Sequence, residues 1–233
     1  MVKSELIKRS PLRMLERSIH GGLGSGRIGV LASPKGVGKT ACLVHIAIDK
    51  LLQGKPVIHV SYSSRVDYII TWYEDIFKEI AKNRKLRAAE EVHAEIIKNR
   101  VIMNFKQEGS RTEQVLKSVE AMITFGKFAA ETIIVDGYDF TRPACEDLGK
   151  FREFANRLGL EVWFSASLKE SGGPLYDGTG VPVVLAPLCS AIDVLITLHA
   201  QGDHVQLRVI KDHDYPPQGI LPIGLDPKTL LIA

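Results

Sequence analysis

The chain has 233 residues, 45% of them hydrophobic, with 30 basic and 27 acidic side chains and a net charge of +3. That apolar content suffices for a sizeable core in one α/β domain, and so nearly balanced a charge excludes strong attraction to polyanions on charge alone. Cys42, Cys145 and Cys189 are far apart and show no C-x-x-C spacing, which argues against a disulfide framework and a zinc site and fits a reducing compartment.

The opening MVKSELIKRSPLRML lacks the apolar centre of a signal peptide, and no apolar run reaches the roughly 18 residues of a membrane span. The expectation is a cytoplasmic protein without a membrane partner. RIGVLAS (Arg27 to Ser33) reads as a strand running into a glycine-rich turn, and TACLVHIAIDKLL as a helix ending near Gly54, its C′ glycine. PVIHVSYS (Pro56 to Ser63) is a second strand; Ile69, Trp72, Ile76 and Ile80 then mark a helix with one buried face. From Lys82 to Arg100 the chain is charged, with Leu86, Val92 and Ile96 as its few anchors, and reads as an exposed helix.

VIMNF (Val101 to Phe105) is a third strand, and Val115, Leu116, Val119, Met122 and Ile123 form the stripe of the next helix. ETIIVDGYD has the continuous apolar run of a strand covered on both faces. Leu148, Phe151, Phe154 and Leu158 mark a further helix before the strand EVWFSAS. This alternation predicts a parallel sheet with helices on both faces and right-handed crossovers. After Ala191 the pattern changes: IDVLITLHA, HVQLRVIKDH and GILPIGLDPKTLLI read as consecutive strands, an antiparallel hairpin extension of the sheet.

SPKGVGKTA, Ser33 to Ala41, ends as a phosphate-binding loop of the pattern G-x-x-x-x-G-K-[ST], with serine in place of the first glycine. Such loops work because successive N–H groups and a helix N-terminus converge on one spot where a lysine adds a full charge. Ser33, Pro34, Lys35, Gly36, Val37, Gly38, Lys39, Thr40 and Ala41 are therefore the expected nucleotide-binding residues. Lys39 is expected to reach the β/γ-phosphates, and Thr40 to ligate magnesium. Its short core, G-x-G-K-[ST], arises by chance roughly once in a hundred chains of this length, and it sits between a strand and an amphipathic helix. Asp136, at the end of the apolar run TIIVD, is the expected second magnesium residue, and Asp139 a turn or helix cap. The nearby GGLGSG (Gly21 to Gly26) precedes the first strand, so it is not a dinucleotide fingerprint.

These residues resemble the RecA/KaiC-type ATPase superfamily. The run SPLRMLERSIHGGLGSGRIGVLASPKGVGKTACLVHIAID is similar to that family's opening, a short helix and a G-G-L-x-x-G-R turn before the first strand and loop. AIDVLITL, a hairpin, VIKDH and LDPKTLLI are similar to its late strands. The resemblance runs from about Pro11 onward and implies a three-layer α/β/α P-loop NTPase of RecA-like type over residues 1–233. In it, residues 1–26 are a leading helix and glycine-rich loop, and residues 27–233 the core. It also implies ATP or ADP with Mg²⁺ as ligands, and self-association.

Two departures bear on hydrolysis. The family's water-activating glutamate falls in VSYSSRVDY, where Ser63 and Ser64 stand, and serine is a poor general base near neutral pH. Of the lysine and arginine that ring-forming members send into a neighbour, Lys211 is present and His213 replaces the arginine, although an arginine finger can contribute about 10³ to 10⁵ in turnover.

The expected function is an ATP-binding protein with slow or absent hydrolysis, whose occupancy controls assembly or contact with a protein partner. The alternatives are an oligomeric ATPase motor, with Asp67 or Glu74 as base and Lys211 acting in trans, and a recombinase or helicase-like protein. The loop KESGGPLYDGTGVPVVLAP argues against nucleic acid, having one lysine and a single aromatic residue, Tyr176. Ser165 and Ser167, at the end of EVWFSAS, are equally readable as γ-phosphate sensors or local turn residues.

Overall fold

The structure is a computed structural model and describes residues 1–62, 65–107, 110–141, 144–169 and 173–232. Two short helices, α1 (Lys3–Lys8) and α2 (Leu12–Ser18), precede β1 (Ile28–Pro34) and α3 (Lys39–Leu52). There follow β2 (Val57–Ser61), α4 (Val66–Asn83), α5 (Ala89–Lys98) and β3 (Arg100–Asn104). Next come α6 (Thr112–Thr124), β4 (Thr132–Asp136), α7 (Ala144–Leu158) and β5 (Glu161–Leu168). A 3-10 helix (Ala186–Ala191) leads to β6 (Val194–Gln201), β7 (His204–Asp212) and β8 (Gly219–Leu225).

The strands form one eight-stranded sheet in the order β3-β2-β4-β5-β1-β6-β7-β8. All pairings from β3 to β6 are parallel; β7 and β8 are antiparallel additions. One core, on the face covered by α1 to α5, gathers Leu6, Leu15, Leu43, Ile76 and Ile96; the other, under α6 and α7, gathers Val115, Val119, Phe151 and Phe154. The expected α/β architecture with a mainly parallel sheet and a terminal antiparallel extension is thus present. Its central strands are apolar on both faces because both faces are covered.

Local sequence explains several boundaries. From Ala41 to Leu52 every residue of α3 except Lys50 is buried, as befits a helix that is apolar nearly all round and sandwiched between the sheet and other helices. It ends as the sequence predicts: Gly54, at φ 79, follows Gln53, and the N–H groups of Gly54 and Lys55 donate to Leu51 O and Lys50 O, a Schellman closure. On the sheet, Gly29 pairs with Trp163, whose ring lies where a side chain would be; a Cβ there would sit 2.4 Å from Trp163 Cε3.

Two details differ from the sequence reading. The leading segment holds two helices rather than one, broken around Ser10 and Pro11. The charged stretch is not one helix: α4 ends at Asn83 and α5 starts at Ala89, because Lys85 (φ 47) and Ala88 (φ 54) take left-handed conformations between them and let Leu86 turn inward. Among the described residues, no helix is long and apolar enough to cross a membrane.

Candidate functional site

Six parallel strands direct their carboxyl ends to one edge, where open α/β sheets form ligand crevices. There β1 ends at Pro34 and α3 starts at Lys39. Gly36 (φ 85) and Gly38 (φ 118) provide the left-handed turns between them, angles that glycine adopts without steric cost. A Cβ on Gly38 would come within 2.4 Å of Leu225, whereas a Cβ on Gly36 would meet no atom within 4 Å. The loop therefore packs on β8 at one glycine and turns bare backbone to open space at the other. The first intrahelical bond runs from Cys42 N–H to Gly38 O, so the preceding amides lack helical partners.

Lys39 is buried, with 7% exposure. Its Nζ donates to Ser33 O (2.9 Å), Pro34 O (2.8 Å) and Ser33 Oγ (3.2 Å). All three acceptors are neutral, and among the described residues Lys39 forms no ion pair. Burial lowers its pKa to about 8 despite the opposing pull of Asp136, because desolvation disfavours the charged form. The serine at position 33 thus serves as an added ligand to the lysine. It is fully buried in register with Ser167 of β5.

Asp136 closes β4, two strands from β1, with β5 between them. Thr40 Oγ1 donates to Asp136 Oδ2 at 2.9 Å, and Ser165 Oγ donates to Asp136 Oδ1 at 2.6 Å. Gly137 N–H donates to Ser165 Oγ at 2.8 Å. The parallel register sets Ser165 beside Leu31, so β5 supplies the hydroxyl that spans the gap between Asp136 and the loop strand. Ser165 is occupied in orienting the carboxylate; it lines the cavity together with the exposed Ser167.

The cavity holds ≈ 350 Å³. The loop, Lys39, Thr40, Asp136, Gly137 and the β5 serines line it on one side, and Tyr62, Tyr68, Ile69 and Trp72 on the other. Among the described residues Asp136 is the only carboxylate in the lining. The aromatic side was not foreseen in the sequence: Ile69 and Trp72 belonged to the stripe assigned to the core, and that stripe's first turn overhangs the site. Behind it, His59 of β2 is fully buried; its Nδ1 lies 3.1 Å from Tyr73 Oη, and its Nε2 has no hydrogen-bond partner among the described residues. Burial, with Arg100 in support and Asp136 opposing, lowers its pKa to about 4.

The other expected residues lie elsewhere. Ser63 and Ser64 fall outside the described residues. Asp67 pairs with Arg65 on the surface, and Glu74 pairs with His93 at 2.5 Å and approaches Arg100 at 3.9 Å; neither lines the cavity. Lys211 Nζ donates to Cys189 O and Ile192 O, both at 2.6 Å, tying β7 to the end of the 3-10 helix. His213 binds Asp212 Oδ1 at 2.8 Å and Leu23 O at 3.0 Å. Asp139 accepts from Thr141 N–H and Oγ1, the turn-capping role expected of it.

Fold and crevice together define a mainly parallel α/β protein with a strand–loop–helix site at the carboxyl edge of its sheet. Compared with protein-family models and with curated proteins, the chain matches none.

Proposed function

We propose that this chain is a RecA/KaiC-like P-loop protein that binds ATP with magnesium and hydrolyses it slowly or not at all. Occupancy of the site sets its self-association or its contact with a protein partner. One observation carries the reading: a buried ammonium, Lys39, held among the described residues only by neutral oxygens at the mouth of an open cavity. A phosphate group supplies the charge that this arrangement lacks, and charge-assisted bonds are the strong ones. The strand order and the antiparallel extension support the RecA-like assignment.

Thr40 and Asp136 fit a magnesium ion, since a hydroxyl and a carboxylate oxygen already meet at 2.9 Å and magnesium takes few protein ligands and keeps its waters. When bound, the ion neutralises charge on the β- and γ-phosphates. Lys39 would hold the phosphates, the backbone around Gly36 would donate to them, and Ser165 keeps Asp136 oriented. Slow hydrolysis follows from the lining: Asp136 receives hydrogen bonds on both oxygens, and a general base must be within reach of the water it activates. An occupancy signal needs unequal affinity in two states, which a subunit contact near the loop would provide.

The test is retention and identification of nucleotide. Concentrated protein incubated with magnesium and ATP for hours should keep intact ATP, with no more ADP than a Lys39→Ala control. Steady ADP formation lost in Lys39→Ala would establish a working ATPase instead, and absence of bound nucleotide would remove the reading.

A further inference from the structure

We propose that the start of α4 reads the terminal phosphate, with Tyr68 and Trp72 walling its compartment and Arg65 as the cation that reaches it in cis. This inference rests on the nucleotide-binding reading. It assigns a γ-phosphate-specificity role to three residues of this chain, at the place where the family resemblance led one to expect a carboxylate and a neighbour's arginine.

The geometry begins with helical spacing. Residues 68, 69 and 72 share one face of α4, and that face forms the cavity wall opposite the loop. Ile69 is buried and Trp72 half-buried, while Tyr68 is 53% exposed at the rim. The wall stands on a fixed base: Tyr73 and Ile76 are buried, Tyr73 Oη meets His59, and the Arg100 guanidinium lies 4.4 Å over the Tyr73 ring. Asp136 bonds with Thr40 from the loop side and its carbonyl accepts from Tyr62 N–H at 2.9 Å. Phosphates drawn to Lys39, and to a magnesium ion held by Thr40 and Asp136, would therefore end close to α4, which lines the same cavity.

Arg65 does not line the cavity itself but stands against Tyr68, which does. Its guanidinium lies 4.9 Å over the Tyr68 ring and pairs with Asp67. Both partners of that ion pair are more than half exposed, so the pair is weak and exchangeable. A phosphate offers the guanidinium a stronger, bidentate acceptor. Tyr68 would hold the planar group parallel to the cavity mouth while it changes partner, and the apolar wall strengthens the new contact by excluding water. A diphosphate ends short of this compartment and gains nothing from it.

The experiment compares binding of Mg-ATP and Mg-ADP by calorimetry to the full chain and to its Arg65→Ala, Tyr68→Ala and Trp72→Phe variants. The intact chain is expected to favour ATP by about tenfold or more, the range of one charge-assisted contact. Arg65→Ala and Tyr68→Ala should bring the ratio near unity through loss of ATP affinity alone, with retained ADP binding as the control for folding. Tryptophan emission should change with ATP more than with ADP, and this difference should vanish in Trp72→Phe, because the only other tryptophan, Trp163, is buried against Gly29. Equal ATP and ADP affinity in the intact chain, or an unchanged ratio in both Arg65→Ala and Tyr68→Ala, overturns the inference and leaves nucleotide binding standing. Failure to bind either nucleotide overturns the nucleotide reading itself.

Discussion

Two glycine-rich loops flank β1, one at each end, and each borders a cavity of similar size: ≈ 350 Å³ beside Gly36 and Gly38, ≈ 340 Å³ beside Gly21 to Ser25. Their charges are arranged differently. At the amino edge Arg13 pairs with Glu16 and Asp49, and Lys50 pairs with Glu161 at 2.8 Å, which also accepts from Thr132. At the carboxyl edge Lys39 faces its cavity with neutral acceptors only. Glycine content and volume therefore do not distinguish the two cavities. What distinguishes them is whether the buried charge is already answered within the chain.

Replacing each lysine tests that contrast most directly. Lys39→Met should weaken Mg-ATP binding roughly 100-fold or more, the loss of a charged partner to phosphate, without lowering the melting temperature, since it removes a buried cation whose desolvation outweighs the pull of Asp136. Equilibrium binding and thermal unfolding on the same sample check both halves. Lys50→Met should do the reverse: about 3 kcal/mol of stability lost by stranding Glu161, the lower end for breaking a buried pair, with ATP affinity within threefold of the parent chain. Denaturant titration measures it. If Lys50→Met abolished binding and left stability intact, the assignment of the two ends would be exchanged.

Paired glycine substitutions sharpen the comparison at smaller amplitude. Gly26→Ala sets a Cβ 2.1 Å from Asn156 Oδ1 at φ 75, so it should cost the roughly 1–2 kcal/mol of the left-handed conformation plus about 1–3 kcal/mol through overpacking, and leave ATP binding unchanged. Gly36→Ala meets no neighbour; it should cost only the roughly 1–2 kcal/mol of the left-handed conformation, yet weaken ATP binding by obstructing the bare backbone. Denaturant midpoints and binding constants for the two variants should therefore rank in opposite orders.

The smallest expected effect is a dependence on pH. The folded pKa of Lys39, about 8, lies below its ordinary value of 10.5. The unfolded chain thus binds more protons between these values, and the cost of burying the ammonium fades as pH rises through that window. A bound phosphate draws the proton back, so ATP affinity should fall about eightfold between pH 7.5 and 9. Calorimetry in two buffers of different ionisation enthalpy should register proton uptake on binding, and no uptake should occur with Lys39→Met.

Much of this was legible in the residues. Alternating apolar runs and stripes gave every strand and the helices from α3 to α7, because a parallel sheet covered on both faces needs continuous apolar strands and one-sided helices. The Gly36–Gly38–Lys39–Thr40 pattern and the strand-ending Asp136 named residues that the structure brings to the lining of one cavity. The boundary at Ala89 was not legible, because left-handed Lys85 and Ala88 have no sequence signal comparable to glycine.

The sequence by itself determined that a lysine, a threonine and an aspartate with the chemistry of a phosphate site exist, and that the chain can bury a core around them. Only the tertiary structure decided that β5 would lie between β4 and β1, so that Ser165 braces Asp136, and that the first turn of a core helix would stand over the cavity. It also committed Lys211 to the carbonyls of its own chain. The reason is one of range: spacing along the chain encodes local periodicity and motif, whereas strand order and helix docking join residues about a hundred positions apart, through burial that no short window records.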